Sequence, residues 1–324
     1  MSVFPLGNLP LSRQEIDRDH EARSRPGLFD ELWADSRTRI LPMNRGRALA
    51  HPNFASRPAL AFLEVRDLPE GAGNESSVRV YLGLSLGDSN PEPVGTPLVL
   101  VVLNDDQADA LEPDEARWLN LRNVATTLSD RDAGAFVESL AISGWHASHT
   151  HSPRSGVPTT SEKGGWVRRD PELGIELFPR TDMAIIVGII DAQDRILLGS
   201  NALWESNRFS LLAGFVEPGE SLEAATLREV FEESGVRIKN PQYLGSQPWP
   251  FPASLMVGFT AEVDPEFAES ALIPDGEEIL DLRWFSREEL GDPANGIILP
   301  GPASIAHSIL TRWYGGELPQ SAAW

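Results

Sequence analysis

The stretch Gly214-Phe-Val-Glu-Pro-Gly-Glu-Ser-Leu-Glu-Ala-Ala-Thr-Leu-Arg-Glu-Val-Phe-Glu-Glu-Ser-Gly-Val236 decides the fold and most of the chemistry. Ser221 suits an N-cap and Gly235 a C′ position, so the spacing predicts a helix of about three to four turns between them. At about 100° per residue, Glu229, Glu232 and Glu233 share one arc with i, i+3, i+4 spacing. Ala224, Leu227, Val230 and Phe231 share the opposite arc and are expected to face a core. Three carboxylates on one face repel each other, and a helix has no structural reason to collect them. Hard oxygen donors at this density suit Mg²⁺ or Mn²⁺, which would relieve the repulsion. A solvated acidic face accounts for the same three glutamates in a chain this acidic.

Around this stretch lies a chain of 324 residues, with 27 Lys and Arg against 48 Asp and Glu and a formal charge of −21. Its length suggests two domains, and 41% hydrophobic with 23% charged residues is an ordinary globular composition. The absence of cysteine removes disulfides, thiolate zinc sites, Fe–S clusters and a cysteine nucleophile. The longest apolar runs, Pro97 to Leu103 and Met183 to Ile190, fall far short of the ~20 residues a membrane span needs. Met1-Ser-Val-Phe-Pro-Leu-Gly7 has no basic segment followed by an apolar core, so no signal peptide is read and a cytoplasmic location is expected. The acidic balance repels polyanions and argues against tight non-specific binding to a nucleic-acid backbone. An acidic enzyme that handles phosphates must neutralise them locally, and a divalent cation is the obvious means.

Three segments are expected: 1–145, 146–178 and 179–324. The first reads as mixed α/β. Val78 to Leu84 and Pro97 to Leu103 are strand-like, Gly71 to Ser77 and Gly87 to Gly95 are turn-rich, and Asp130 to Ser143 has helical apolar spacing. No chemical motif marks it, so it reads as a scaffold or dimerisation domain. The second is short, rich in Ser, Pro, His and Gly, and anchored by Trp145 and Trp166. In the third, Met183 to Ile190 reads as a buried strand, Asp191-Ala-Gln-Asp194 as a hairpin turn and Arg195 to Gly199 as the returning strand. No internal repeat is visible. Further on, Ser246-Gln-Pro-Trp-Pro-Phe-Pro-Ala-Ser254, followed by Leu255-Met256, reads as an extended strand stiffened by proline. It presents Trp249 and Phe251 as preformed aromatic faces, while Gln247 and Ser254 offer neutral hydrogen-bonding groups to a ring or ribose. A Pro-rich edge strand packed in the core is the competing reading.

The first stretch matches G-x5-E-x7-R-E-U-x-E-E-x-G-U (U aliphatic) at every fixed position, from Gly214 and Glu220 through Arg228, Glu229, Val230, Glu232 and Glu233 to Gly235 and Val236. It resembles the Nudix box of the Nudix hydrolases. In this position the S-Q-P-W-P-F-P-x-S segment is similar to the signature of the NADH pyrophosphatase family. The resemblance covers about 150 to 320 strongly, and the N-terminal part only in length and position. It implies an α+β chain: a mixed α/β N-terminal domain, a ribbon-like linker and a C-terminal αβα sandwich. It further implies hydrolysis of a nucleoside diphosphate linked to another moiety, with Mg²⁺ or Mn²⁺ as cofactor. Glu229, Glu232 and Glu233 would ligate the metals, joined by the Ala213 carbonyl and by Glu278, with Glu277 as the alternative there. One glutamate would take a proton from water; Glu233 reads as the essential ligand and Glu232 as the proton acceptor. Arg228 would orient a glutamate and Glu220 would brace the loop. Phe215 would stack on adenine and Phe178 would contact the ligand. Gln247, Pro248, Trp249, Pro250, Phe251, Pro252, Ala253, Ser254 and Met256 would line the substrate, and Ala306, in Leu299 to Ala306, would close over the nucleotide. A homodimer is implied too.

Relatives in that family carry a four-cysteine zinc ribbon before the Nudix domain. Here its two C-x-x-C pairs align on Ser152 with Ser155 and on Asp170 with Leu173, while Gly156, Trp166, Arg168-Arg169 and Gly174 keep the frame. Serine and leucine do not supply tetrahedral N/S ligands, so no structural zinc is expected and packing around Trp145 and Trp166 is expected to hold the ribbon. His146, His149 and His151 with Asp170 are the residues a replacement site would use. The reaction so implied is NADH or NAD⁺ plus water giving nicotinamide mononucleotide and AMP. Its rivals are removal of an NAD cap from RNA, with Arg168, Arg169 and Arg180 as a local basic patch, a non-catalytic nucleotide sensor, and a broader ADP-ribose or dinucleotide pyrophosphatase. No membrane partner is expected.

Overall fold

Nine residues with hardly a polar side chain, Asp182–Ile190 (β10), can be a strand only if both faces and both edges are covered. In the computed structural model, which describes residues 5–56, 58–87, 92–205, 207–267 and 271–319, they are. One edge pairs in parallel with Ser254–Val263 (β14) along its whole length, from Asp182 opposite Ser254 to Ile190 opposite Glu262. The other edge pairs antiparallel first with Leu212–Phe215 (β12) and then, through Ile190 opposite Ile196, with Ile196–Asn201 (β11). The expected hairpin turn joins β10 to β11: Asp191 Oδ1 accepts from the Gln193 and Arg195 amides, and Asp194 adopts φ 61°. Ile238–Trp249 (β13) and Ile279–Phe285 (β15) flank the sheet in the order β13-β14-β10-β11-β15. The proline-bearing β13 thus lies at an edge, where missing amide donors cost least.

Alternate residues of β10 enter opposite cores, as a period of two requires. Ile185, Val187 and Ile189 pack with Leu212, Ala225, Val230 and Phe259 under the helix Leu222–Ser234. Ile186 packs with Leu198, Phe209 and Phe285 under the helix Ile305–Tyr314. A sheet between two helices is the αβα sandwich that the resemblance implies. This unit comprises the described parts of 5–12, 182–249 and 254–319.

The other unit comprises 13–181 with 250–253. Its sheet has the order β1-β4-β5-β2-β3-β6, from Ile16–Asp17 (β1), Arg39–Asn44 (β2), Arg47–Leu49 (β3), Arg79–Ser85 (β4), Pro97–Val102 (β5) and Trp118–Leu119 (β6). The strands expected at 78–84 and 97–103 are β4 and β5. The expected helix runs on to Asp130–Ser148, capped by the Ser129 side chain. The turn expected at 87–95 includes residues 88–91, and the leader reading includes residues 1–4, all outside the described residues. A three-stranded sheet follows: Thr160–Glu162 (β7), Val167–Arg169 (β8) and Glu176–Leu177 (β9).

The positions that align with zinc ligands carry a hydrogen-bond staple instead. Ser155 Oγ donates to Asp170 Oδ2 at 2.6 Å, while Asp170 Oδ1 accepts from the Glu172 and Leu173 amides at 2.9 Å each. One carboxylate therefore ties the two turns together, in addition to the expected packing of buried Trp145 and of Trp166, whose indole donates to the Tyr81 carbonyl. His146 has both ring nitrogens engaged, by Gly165 O and Arg168 Nη1, each at 2.8 Å. His149 and His151 pair with neighbouring hydroxyls. In the expected basic patch, Arg168 is bonded to Thr159 and His146, and Arg169 to Glu162, Glu176 and Gly174.

Candidate active site

The helix Leu222–Ser234 begins and ends as expected: Ser221 Oγ accepts from the Ala224 amide, and Gly235 takes φ 71°. Its inward face differs from the expectation. Ala225, Thr226 and Val230 are buried, whereas Ala224 is exposed and Leu227 and Phe231 are 42% and 46% exposed. Small residues face the sheet because the helix comes very close to β12. A Cβ on Gly214 would stand 2.1 Å from Glu229 Cδ. This approach carries the acidic arc inward beside Val230 and leaves Glu233 only 4% exposed.

Arg228 is the hub of the acidic face. Its guanidinium donates to both oxygens of Glu220, to Glu232 Oε2 at 2.9 Å and to the Phe215 carbonyl at 3.0 Å, and lies 2.9 Å from Glu229 Oε1. Glu220 also accepts from the Glu217 amide, so it braces the loop before the helix. The Arg228 hydrogen bonds hold Glu220 below the usual carboxylate range. Glu229 is pushed up by burial, against the pull of Arg228. Among the described residues Glu233 has no arginine partner, and one of its oxygens is buried without a hydrogen bond. Burial, followed by the charges of Glu229 and Glu278, pushes it up to about 8.

Glu233 faces a cavity of about 200 Å³ that lies wholly within the αβα unit. Ala213, Trp249, Met256, Glu278 and Ala306 line it with Glu233, so six expected site residues meet there. Glu278, not Glu277, is the one that lines it. Asp275 Oδ1 accepts from the Glu277, Glu278 and Ile279 amides at 2.9 Å each, and these bonds outweigh burial to keep Asp275 low.

The remaining expected residues lie elsewhere. Phe215, on β12 opposite Ala184, is 59% exposed, and Glu229 and Glu232 are held by Arg228. Pro248 and Ser254 belong to the β13–β14 ladder. Gln247 is fully buried: its Oε1 accepts from the Leu11 amide and its Nε2 donates to the Ala303 carbonyl, so neither end is offered to a ring or ribose. Pro250, Phe251, Pro252 and Ala253 group with the other unit, where Arg122 lies 3.9 Å from the Phe251 ring centroid. Phe178 is an exposed side chain of that unit. The sequence reading missed Asn201, Trp204, Ser210 and Ser304, which also line the cavity. Trp204 was findable as a large aromatic in a short loop after a strand; the others carry no local signal.

Comparison with known proteins fits this geometry. Residues 179–309 match the model of the NUDIX domain, and residues 37–145 match that of the NADH pyrophosphatase-like rudimentary NUDIX domain. A protein of Mycobacterium bovis named NAD-capped RNA hydrolase NudC is 35% identical over 97% of both chains. The chain belongs to the NADH pyrophosphatase branch of the Nudix hydrolases. Human NAD-capped RNA hydrolase NUDT12 is 35% identical over 57% of this chain and 42% of its own. A NUDIX hydrolase structure from Nitrosomonas europaea covers 53% of this chain and 97% of its own, with 18% identity and a TM-score of 0.40. This Nudix pyrophosphohydrolase therefore consists of a rudimentary and a full Nudix domain.

In this Nudix hydrolase the donor chemistry fits a hard divalent cation: two cavity carboxylates, a backbone carbonyl at Ala213, and an orphaned Glu233 oxygen. Among the described residues, however, no three acidic or histidine side chains are already gathered to hold an ion. Arg228 lies 2.9 Å from both Glu229 and Glu232. Among the same residues no helix is long and apolar enough to cross a membrane.

Proposed function

We propose that this enzyme splits the pyrophosphate bond of an NAD-type dinucleotide, reduced or oxidised, into nicotinamide mononucleotide and AMP. The observation that supports it best is that Glu233 and Glu278 line the same cavity as Trp249, Met256 and Ala306. An apolar, aromatic wall suits the bases of such a ligand, and a divalent cation at the two carboxylates would turn the acidic end into a site for its anionic centre. Mg²⁺ or Mn²⁺, when bound, supplies charge neutralisation at the pyrophosphate and a more acidic water. Glu233, Glu278, Glu229 and the Ala213 carbonyl would hold that ion. Glu232, half exposed on the outer side of Arg228, accepts the proton of the attacking water. Arg228 fixes the glutamates and Glu220 fixes Arg228. Trp249 and Met256 hold a base in the cavity, and Phe215 and Phe178 offer exposed aromatic faces to the rest of the substrate.

A second reading, removal of the NAD cap from RNA by the same bond cleavage, is favoured by the printed names of the relatives that match nearly the whole chain. The two are compared by measuring AMP release from NADH and NAD⁺, and decapping of a 5′-NAD oligonucleotide, at two salt concentrations with Mg²⁺ and with Mn²⁺. Turnover lost in Glu233→Gln supports the site; full turnover in that variant overturns it. The proposal includes a homodimer in the cytoplasm, which light scattering and cell fractionation test.

A further inference from the structure

We propose that Asn201 is a positioning residue that ties the loop carrying Trp204 to Glu278, so that a base in the cavity and a cation at Glu278 are bound cooperatively; this rests on the site assignment above. Asn201 ends β11, and at that point the β11–β15 ladder slips. Ser200 lies opposite Asp281, but Asn201 lies opposite Ile279, leaving Leu280 unmatched. The slip turns both chains towards the cavity, which Asn201, Trp204, Glu278 and Ile279 all line.

Two hydrogen bonds then join the two segments, and two more fold the loop back onto Asn201. Asn201 Nδ2 donates to Glu278 Oε1 at 3.2 Å, and the Ala202 amide donates to the Glu278 carbonyl at 2.8 Å. On the loop side, Asn201 Oδ1 accepts from the Leu203 amide at 2.9 Å, and its carbonyl accepts from the Trp204 amide at 3.0 Å. The orientation of the amide is dictated: flipped, it would set oxygen against a carboxylate and NH₂ against an amide N–H.

The choice of residue matters electrostatically. Arg228 orients glutamates and neutralises them, whereas a neutral amide orients Glu278 and leaves its charge for a cation. Glu278 is an exposed side chain, and an unrestrained glutamate loses rotamer freedom on being fixed to an ion. Asn201 bears part of that ordering before an ion arrives. A base lying against Trp204 orders the same loop and therefore the same carboxylate.

The test is Mn²⁺ titration of the full chain, followed by electron paramagnetic resonance of the free ion, with and without saturating adenosine. Adenosine carries no phosphate to ligate the metal, so any effect must pass through the protein. In the wild type adenosine tightens Mn²⁺ binding at least fivefold. Asn201→Ala weakens Mn²⁺ about tenfold, the ordinary effect of removing a partner of a metal ligand, and the adenosine ratio falls to about one. Asn201→Asp keeps the acceptor for Leu203 and adds a charge but cannot donate to Glu278, so its ratio also falls to about one. Trp204→Ala loses the ratio while binding Mn²⁺ alone as the wild type does. A residue that only shaped the turn would change the melting temperature and leave the ratio intact, and that result overturns the inference, as does a wild type indifferent to adenosine. If Glu233→Gln abolishes Mn²⁺ binding while Asn201→Ala keeps the wild-type ratio, this inference alone falls. If the wild type binds no Mn²⁺, the site assignment falls with it.

Discussion

The α-carbon of Gly214 faces the carboxyl group of Glu229 so closely that one added methyl would stand 2.1 Å from Glu229 Cδ. Glycine is needed here for space, and its small size sets how deep the acidic helix face sinks against β12. Gly214→Ala must drive the Glu229 carboxyl outward or lift the helix from its strand. Displacements on the order of 1 Å at reacting groups cost roughly a hundredfold in rate. The expected result is a folded protein with NADH hydrolysis down about a hundredfold. Turnover close to wild type, measured alongside circular dichroism, would show that the close approach is dispensable.

Glu233 links cation binding to pH. Its folded pKa, about 8, lies above the ordinary glutamate value, so between pH 4.5 and 8 the folded state binds more proton than the unfolded one. Stability without metal therefore falls as pH rises through that window, at up to about 1.4 kcal/mol per unit. Glu138, buried beside Arg18 and pushed up to about 7 by burial against the pull of Arg18 and Arg23, acts with the same sign in the other unit. His146, pushed down to about 4 by burial, acts oppositely, since stability is lost as pH falls from 6.5 towards 4. A difference measurement removes both. The rise in melting temperature on adding Mn²⁺ should grow from pH 5.5 to 8 in the wild type and stay flat in Glu233→Gln. Equal slopes for the two proteins would separate this carboxyl from the ion.

The Asp170 staple predicts acid sensitivity in the ribbon. Hydrogen bonds from serine hydroxyls, and then from backbone amides, hold its carboxyl down to about 2. A depressed carboxylate stabilises the fold above the unfolded value near 4, and that contribution is lost as pH falls from 4 towards 2. In Asp170→Asn the urea midpoint should drop at pH 7 and converge on the wild type by about pH 2.5. Zinc or a chelator should move neither protein. A chelator-dependent midpoint would mean that a metal, not this hydrogen-bond staple, holds the turns.

Parts of this architecture were legible because their signals are local. Ser221 and Gly235 bracket the helix, the β-branched run from Met183 marks the central strand, and Asp191 writes the hairpin turn in its own hydrogen bonds. Periodicity located the arcs of the acidic helix but not which arc faces inward. Leu227 and Phe231 mark the apolar side by hydropathy, yet the side bearing Ala225 and Val230 is the one that packs on the sheet. Long-range partnerships leave still less trace. Residues 5–12 join the αβα unit through bonds such as Leu11 to Gln247, separated by 236 positions, which no local pattern encodes. Asn201 likewise matters only through Glu278, far along the chain.

Gln247 separates a substrate role from a structural one. Its side chain satisfies two buried backbone groups, the Leu11 amide and the Ala303 carbonyl. Gln247→Leu strands both, and each unpaired buried group costs about 1–3 kcal/mol, so the urea unfolding free energy should fall by about 2–6 kcal/mol. Gln247→Glu is more discriminating. Its carboxylate still accepts from Leu11 but meets the Ala303 carbonyl with a second acceptor, unless a proton restores the donor. The variant should therefore be closer to wild type at pH 5 than at pH 8, and at pH 5 its KM for NADH should be nearly unchanged. A KM raised tenfold or more at unchanged stability would mean instead that the amide leaves this bridge to hold substrate.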